Sequence, residues 1–326
     1  MARSRDPHEL FAAAADGDRA AKARLLSLIE RGGDGAREVG RLAAPRAGDA
    51  YVVGVTGAPG SGKSTLTSAA IRHLRGEDEE VAVLAIDPSS PFTGGAILGD
   101  RVRMQDHATD HGVFIRSMAT RGHLGGLALA TPEAIRLLDA LGHRWIIVET
   151  VGVGQVEVEI AGKADTTVVV VNPGWGDSVQ ANKAGLMEVA DVFAINKADR
   201  PGVAETTRDL HQMLELSTAL AHEDDPQAPL GWSPPIVPTI GQTGEGVVEL
   251  WNAIVAHRAH ASASGVLERR RRFRLGEELR EIIGRRLEQR ARELRTGDRW
   301  DELTTQVMAG EVDPWAAADE MLKPVL

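Results

Sequence analysis

Seven short apolar runs, separated by amphipathic segments, restrict the fold of this chain more than any other feature of its sequence. The runs are rich in Val and Ile, show little alternation, and most lead into Gly, Pro, Asp or Asn. Such runs are typical of strands buried on both faces of a parallel sheet. Their alternation with helices implies right-handed βαβ crossovers and ligands bound at the carboxyl ends of the strands. The runs are Tyr51–Val55, Val81–Ile86, Val113–Ser117, Trp145–Glu149, Thr167–Asn172, Asp191–Asn196 and Ile236–Thr239. The predicted fold class is therefore α/β, a mainly parallel sheet flanked by helices.

Helical extensions are predicted at both ends of this sheet domain, which we place at residues 49–260. In residues 1–48, apolar side chains recur at helical spacing, and three glycines that follow are read as a helix stop. The apolar set is Leu10, Phe11, Ala14, Leu25, Leu26 and Ile29, and the glycines are Gly32, Gly33 and Gly35. Within the sheet domain, residues 221–235 contain four prolines and an acidic run, which predicts an exposed loop.

The C-terminal extension, residues 261–326, contains a strongly basic helix. Residues 267–295 hold 11 Arg and 6 Glu in a chain whose net charge is −10. Apolar residues at spacings of three and four form a stripe on it, namely Leu279, Ile283, Leu287, Ala291 and Leu294. Two interpretations stay open: a helix packed on its own domain, or the arm of a homodimer. Nucleic-acid binding by the four arginines at 269–272 is disfavoured, because glutamates flank them.

Composition excludes several classes of protein. The chain has no cysteine, which rules out a disulfide scaffold, a thiolate metal site, a cysteine nucleophile and a thiolate-held iron–sulfur cluster. No apolar run approaches the roughly 18–20 residues of a membrane span, and the first residues lack the apolar stretch of a signal peptide. The acidic balance argues against bulk nucleic-acid binding. We therefore expect a cytoplasmic protein with no membrane and no nucleic-acid partner.

A glycine-rich segment after the first predicted strand fits the phosphate-binding pattern G-x-x-x-x-G-K-[ST]. Glycines let successive backbone N–H groups point at one cluster of phosphate oxygens, and the following helix adds its positive N-terminal end. Lys63 places a charge against the β- and γ-phosphates, and the Ser64 hydroxyl can ligate Mg²⁺. The predicted nucleotide contacts here are Gly57, Ala58, Pro59, Gly60, Ser61, Gly62, Lys63, Ser64 and Thr65.

A second motif, N-K-x-D, follows the strand that ends at Asn196. The Asp199 carboxylate can accept hydrogen bonds from guanine N1–H and from the 2-amino group, a pair of donors that adenine lacks. Lys197 can cover the face of the base, and Asn196 can brace the loop. An ordinary helix-entry turn would give the same four letters, but the position after a buried strand favours guanine binding. The two motifs together predict GTP rather than ATP.

A third loop, residues 239–246, follows the last predicted strand. In GTPases, a Ser-Ala-x loop at this place donates a backbone N–H to guanine O6. Here Gly241 stands at the Ala-like position, with Ile240 in place of Ser and Gln242 after it. A plain glycine-rich turn explains these residues equally well.

Acidic residues near strand ends are candidates for a Mg²⁺ site, because this ion prefers hard oxygen ligands. Asp87 follows one strand and Glu149 ends another, and an idle charge in a buried strand is costly, so both point to function. Asp100 lies in the glycine-rich stretch 93–103, where a solvated loop charge is the simpler interpretation. After Glu149, Gly152 can donate its N–H to the γ-phosphate, and Gln155 can position the attacking water.

Four strings resemble the MeaB/ArgK family of SIMIBI-class P-loop GTPases. They are DPSSPFTGGAILGDRVRM at 87–104, RGHLGG at 121–126, ETVGVGQ at 149–155 and NPGWGDSVQ at 172–180. The resemblance covers about residues 10–300, although Asn172 and Trp175 depart from the family's usual loop. This family includes the human methylmalonic aciduria type A protein.

The resemblance implies a GTPase that escorts adenosylcobalamin-dependent methylmalonyl-CoA mutase. It implies that GTP hydrolysis gates cofactor loading and protects or reactivates the mutase. It further implies a homodimer through the C-terminal helices, and Ser64, Asp100 and Glu149 around Mg²⁺. Asp87 becomes a candidate for orienting water or metal. With Lys63 and Gln155, it completes the expected catalytic set.

Two other functions compete with this prediction. A nickel-insertion GTPase chaperone shares the core fold, but this class usually carries Cys or His ligands, and this chain shows no cluster of them. A kinase acting on a small molecule or a transport protein would need an acceptor pocket with a base, which no segment indicates.

Overall fold

Seven parallel strands form a single sheet in the computed structural model. It describes residues 6–87, 105–107, 109–119, 124–150, 162–174, 189–224, 231–294 and 297–323. The strands are β1 (Tyr51–Thr56), β2 (Val81–Asp87), β3 (Val113–Ala119), β4 (Trp145–Thr150), β5 (Thr166–Val171), β6 (Val192–Asn196) and β7 (Ile236–Thr239). Their order across the sheet is β3-β2-β4-β1-β5-β6-β7, and every neighbouring pair is parallel. Both the α/β prediction and the seven predicted strands are confirmed.

Helices follow β1, β3 and β6 and connect each of them to the next strand, and further helices extend the chain at both ends. They are α1 (Pro7–Ala15), α2 (Arg19–Arg31), α3 (Gly33–Ala43), α4 (Lys63–Gly76), α5 (Leu124–Ala140), α6 (Val203–Asp224), α7 (Val247–Ala263), α8 (Val266–Glu293), α9 (Asp298–Met308) and α10 (Pro314–Leu322). No helix within the described ranges has the length and apolar character to cross a membrane.

The predicted helix stop at Gly32 is confirmed, whereas one predicted loop needs a correction of its bounds. Gly32 ends α2 as expected, but α3 begins at the very next residue. Gly32 and Gly33 both have positive φ angles, +71° and +78°, so two left-handed residues turn the chain sharply enough for a new helix to start at once. The predicted loop at 221–235 starts too early, because α6 continues through Asp224, while residues 231–235 lie in neither a helix nor a strand.

Alternate residues of β1, β2 and β4 enter two separate cores. On β1, Val52 packs with the buried side chains of α1, α2, α3 and α5. Its neighbour Val53 packs with α4 and α7 on the opposite face. Successive side chains of a strand point to opposite faces, and here both faces are apolar. The two ends of the strands therefore remain as places for polar groups, and the carboxyl ends are where the predicted nucleotide loops lie.

The chain divides into two compact units, Met1–Arg272 and Phe273–Leu326. The first contains the sheet together with α1–α3, which share a continuous core with β1–β4. In the second, the α9–α10 hairpin buries Leu303 and Ala317. The predicted division at 48/49 and 260/261 stays a prediction.

A buried cation and a neutral imidazole join α2 to the sheet domain. The Nζ atom of Lys22 lies 3.2 Å from Nε2 of His143, and both residues are buried. Burial, followed by the charge of Lys22, lowers the pKa of His143 to about 4. Burial also lowers the pKa of Lys22. The folded protein therefore keeps the His143 ring neutral at pH values where an exposed histidine takes up a proton.

We expect this pair to make the free energy of unfolding fall as the pH drops from about 6.5 to about 4. The unfolded chain protonates His143 near pH 6.5 and the folded chain only near 4. The contribution of His143 to the free energy of unfolding is thus fully present above pH 6.5, and about 3 kcal/mol of it is lost by pH 4. Urea unfolding of the wild type and of His143→Gln at pH 7, 6, 5 and 4 measures this loss. Equal pH dependence in the two proteins would contradict the assignment.

Candidate nucleotide-binding site

The phosphate-binding loop connects β1 to α4, as its sequence predicts. Three of its glycines, Gly57, Gly60 and Gly62, have positive φ angles of +139°, +76° and +92°. At two of them there is also no space for a side chain. A Cβ atom at Gly57 would collide with the carbonyl oxygen of Val170, and one at Gly62 with Nδ2 of Asn196. The loop is therefore packed directly against β5 and β6.

Lys63 is held inside this loop by backbone oxygens. Its Nζ atom donates to the carbonyl oxygens of Gly57, at 2.5 Å, and Ala58, at 3.1 Å. Pro59 and Gly60 are exposed, whereas Ser61 is buried and its hydroxyl makes no hydrogen bond to another described residue. The ammonium group thus already lies within the ring of backbone that phosphates would enter.

Ser64 and Glu149 form the second polar centre of the site. The Ser64 hydroxyl, in the first turn of α4, donates to Oε1 of Glu149 at 2.5 Å, and both side chains are buried. Glu149 pairs in register with Val55, two residues before the phosphate-binding loop. A hydroxyl and a carboxylate oxygen are the hard ligands that Mg²⁺ prefers, so these two residues fit such an ion.

Other predicted residues are only partly placed. The backbone of Asp87 ends β2, beside β4, while its side chain lies outside the described part of the chain. Asp100, Gly152 and Gln155 fall outside the described residues altogether. Within the ranges that are described, no group of three or more His, Cys, Asp or Glu side chains is arranged to hold a metal ion.

Asn196 connects the three predicted nucleotide loops. Its Nδ2 donates to the carbonyl oxygen of Ser61, at 2.8 Å, in the phosphate-binding loop. Its Oδ1 accepts from the backbone N–H of Gly241, at 3.0 Å. The expected bracing by Asn196 is present, and it extends to a loop that the sequence did not connect with it.

The remaining residues of N-K-x-D follow at the surface. Lys197 has a φ angle of +62°, and its Nζ donates to the carbonyl oxygen of Gly60 at 2.5 Å. The stem of Lys197 thus bridges the two loops. The backbone N–H of Ala198, which lies between Lys197 and Asp199, donates to the carbonyl oxygen of Thr239 at 3.0 Å. Asp199 itself is exposed. The Asp199 carboxylate is accordingly accessible to a base.

The loop 239–246 is closed by its own backbone. The N–H of Ile240 donates to the carbonyl oxygen of Glu245 at 2.9 Å. Gly241 is buried so close to α4 that a Cβ atom would lie 3.1 Å from the backbone nitrogen of Leu66. Because the Gly241 N–H is bound to Asn196, this residue belongs to the brace, while Gln242 is exposed.

Sequence reasoning missed two polar features at this edge. The hydroxyl of Thr150, which ends β4, donates to that of Thr56 at 3.1 Å, and both are buried beside the phosphate-binding loop. At the end of β5, the Oδ1 atom of Asn172 is buried without a hydrogen bond to another described residue. The sequence signal that could have found both features is a polar residue at the end of an apolar run or directly after it.

The sequence model of one family, described as "Methylmalonyl Co-A mutase-associated GTPase MeaB", matches residues 22–296. This chain belongs to that family. Several relatives of this chain are named as GTPases, among them GTPase ArgK of Escherichia coli and a protein of Pyrococcus abyssi. The latter is 50% identical over 98% of this chain and 96% of its own. The mouse protein named methylmalonic aciduria type A homolog, mitochondrial, is 32% identical over 84% of this chain and 65% of its own.

Among solved structures, a LAO/AO transport system kinase shares the fold with a TM-score of 0.69. It is 24% identical and covers 100% of this chain and 99% of its own. Family membership, a P-loop fold and the geometry around Lys63 agree with one another. This MeaB-family protein is a GTPase, an enzyme that binds GTP and GDP and hydrolyses GTP.

The glycines of the phosphate-binding loop provide a matched pair for testing its packing. We expect Gly57→Ala to abolish GDP binding and to lower the melting temperature markedly, because its Cβ meets a backbone oxygen that cannot move aside. Gly60→Ala meets no atom within 4 Å and adds only the strain of a positive φ angle, about 1 kcal/mol. Calorimetry and thermal unfolding of both variants measure the difference. Equal losses would show that packing against β5 is unimportant.

Proposed function

We propose that this GTPase acts on adenosylcobalamin-dependent methylmalonyl-CoA mutase, gating the loading of its cofactor and protecting or reactivating it. The observation that supports this role is the extent of the family match. It runs from α2 through the basic helix α8 and so includes more than the nucleotide-binding core. The family description names this mutase as the associated protein. Within the cell, the proposed location is the cytoplasm.

The chemistry we propose is phosphoryl transfer from GTP to water, achieved by positioning and charge neutralisation. Backbone N–H groups of residues 57–65 surround the phosphates, and Lys63 offsets their charge. Gln155 and Asp87 are the proposed residues that orient the attacking water. Gly152 is the proposed contact to the γ-phosphate.

Ser64 and Glu149 would hold Mg²⁺, with Asp100 as a further proposed ligand. When bound, this ion offsets negative charge on the phosphate oxygens. The short hydrogen bond between Ser64 and Glu149 keeps both oxygens together at the start of α4. The protein's own hydrogen bonding thus brings these two hard oxygens together.

The proposed guanine contacts are made by Asn196, Lys197, Asp199 and the loop at Ile240–Gln242. Asp199 would select the base through its carboxylate, and Lys197 would cover the face of the base. Asn196 would act by holding the three loops together, because both ends of its amide are already bound to them.

Changing Asp199 to Asn tests the base selection directly. Asp199 is exposed at the surface, so we expect Asp199→Asn to fold normally. The amide can donate to the 2-carbonyl of xanthine and repels the 2-amino group of guanine. We therefore expect at least a hundredfold weaker GDP binding, with binding of xanthosine diphosphate gained. Titration with both nucleotides measures the exchange, and unchanged GDP affinity would remove Asp199 from the site.

The homodimer that we propose uses the apolar stripe of α8. This helix has 28 residues and none of them is buried. Leu279, Ile283 and Leu287 expose 58%, 50% and 54% of their surface. A stripe of this kind at helical spacing suits a second copy of the same helix.

A charge placed on this stripe should dissociate the dimer. We expect Ile283→Glu to raise the dimer dissociation constant at least about tenfold, because it would bury an unpaired carboxylate. Gln289→Glu introduces the same side chain away from the stripe and serves as the control. Sedimentation velocity over a concentration series distinguishes them. A wild-type chain that stays monomeric at all concentrations would refute the proposal.

The mutase role is tested by GTP turnover with and without purified methylmalonyl-CoA mutase. We expect several-fold faster release of phosphate into water when mutase is present, and co-purification of the two proteins. Lys63→Ala controls for contaminating activity, because it removes the charge held against the phosphates. GTP turnover that does not change when mutase is added would refute the role. Labelled phosphate found on a metabolite instead of in water would also refute it and would favour a kinase.

A further inference from the structure

Two buried aspartates join the strands of the nucleotide site at their amino ends, opposite the loops. Asp165, just before β5, accepts at Oδ2 from the backbone N–H of Val52 on β1, at 3.1 Å. Asp191, just before β6, accepts at Oδ2 from the N–H of Thr167 on β5, at 2.8 Å. Each carboxylate therefore fastens its own strand to the preceding one in the sheet.

Adjacent arginines at the start of α8 bind these carboxylates. Arg270 donates to the two oxygens of Asp191 at 3.0 and 2.9 Å. Arg271 donates to the two oxygens of Asp165 at 3.1 and 2.5 Å, and also to the carbonyl oxygen of Ala50 at 2.8 Å. Paired hydrogen bonds of this form fix direction as well as distance. We call these two arginines and two aspartates the arginine clamp.

A histidine on α7 extends the clamp across the sheet. Nε2 of His257 lies 3.2 Å from Oδ1 of Asp191, and its Nδ1 lies 2.7 Å from the hydroxyl of Thr166. That hydroxyl in turn lies 2.7 Å from the hydroxyl of Tyr51. The order of carboxylate, imidazole and hydroxyl resembles a nucleophile triad. All four side chains are buried, however, so the arrangement connects strands and offers no surface to a substrate.

The three strands joined by the clamp carry the nucleotide loops at their other ends. β1 leads to Gly57, β5 to Asn172 and β6 to Asn196, over six, six and five residues. Short strands in a fully buried sheet transmit a displacement from one end to the other, because both packed faces resist bending. The distance between the phosphate-binding loop and Asn196 thus depends on the spacing between the amino ends of β1, β5 and β6.

We propose that Arg270 and Arg271 are positioning residues for GTP binding, which hold β1, β5 and β6 in the spacing that the nucleotide loops require. Through them, helix α8 is coupled to the nucleotide site. The coupling is reciprocal, so nucleotide binding must tighten the attachment of α8 by the same factor by which the attachment favours nucleotide. This inference concerns nucleotide binding and is independent of the mutase.

The variant pair Arg270→Lys with Arg271→Lys keeps the charge and removes the forked hydrogen bonds. Its control is Arg269→Lys with Arg272→Lys, two exposed neighbours on the same helix. We expect at least fivefold weaker GDP and GTP binding in the clamp variant, measured well below its melting temperature, and no change in the control. A lower melting temperature with unchanged affinity would show a purely structural role and overturn the proposal.

Hydrogen exchange on the wild-type chain supplies a second test that needs no variant. We expect GDP to slow amide exchange at residues 266–272 at least fivefold, although these residues are far along the chain from the nucleotide loops. The control variant should retain this protection, and the clamp variant should lose it. Equal exchange with and without GDP in the wild type would overturn the coupling.

Discussion

Burial of both faces of a parallel sheet is the constraint on which the rest of this structure depends. Central strands have apolar side chains on both sides, so helices must cover each face. α4 and α7 cover one face. On the other face, α5 together with α1–α3 covers β1–β4, and α6 covers β5 and β6. The N-terminal helices are therefore part of the core of the GTPase, and their loss would expose the side of the sheet formed by β1–β4.

With both faces covered, the main polar groups of the sheet lie at the two ends of its strands. At the carboxyl edge, Asn196 joins loops that arise from three different parts of the chain. At the amino edge, Asp165 and Asp191 accept backbone N–H groups and arginines together. Burial on its own would raise the pKa of Asp191, but the hydrogen bonds from His257 and Arg270 hold it below its ordinary value. Both carboxylates are thus compensated by cations from elsewhere in the chain.

The predictable part of the molecule is the part whose chemistry is local in the sequence. Each strand is predicted by its apolar run. The phosphate-binding loop is predicted by its glycines, which readily adopt the positive φ angles that the loop requires. The brace by Asn196 followed from the motif, but its second contact, with Gly241, is 45 residues away and has no sequence signal. The start of α3 at Gly33 was missed because two consecutive glycines predict an interruption without fixing its length.

Long-range pairing explains the largest gap between sequence and structure. From its sequence, the basic helix α8 can be interpreted only through its net charge and its apolar stripe. Neither property distinguishes one arginine of the helix from another. Two adjacent members instead reach carboxylates 79 and 106 residues earlier in the chain. Periodicity within one helix carries no information about such partners, since the aspartates themselves precede strands without any distinguishing motif.

Synthesis of the chain from its amino end gives the clamp a further consequence. Arg271 donates to the carbonyl oxygen of Ala50, 221 residues earlier. Until α8 has left the ribosome, every strand of the sheet can be present while Asp165 and Asp191 still lack their arginines. A nascent chain that ends before Arg270 thus has to bury Asp165 and Asp191 without their arginines, which favours an open, incompletely packed sheet. Completion of the nucleotide-binding core consequently waits until Arg270 and Arg271 have been synthesised, although neither arginine belongs to a nucleotide loop.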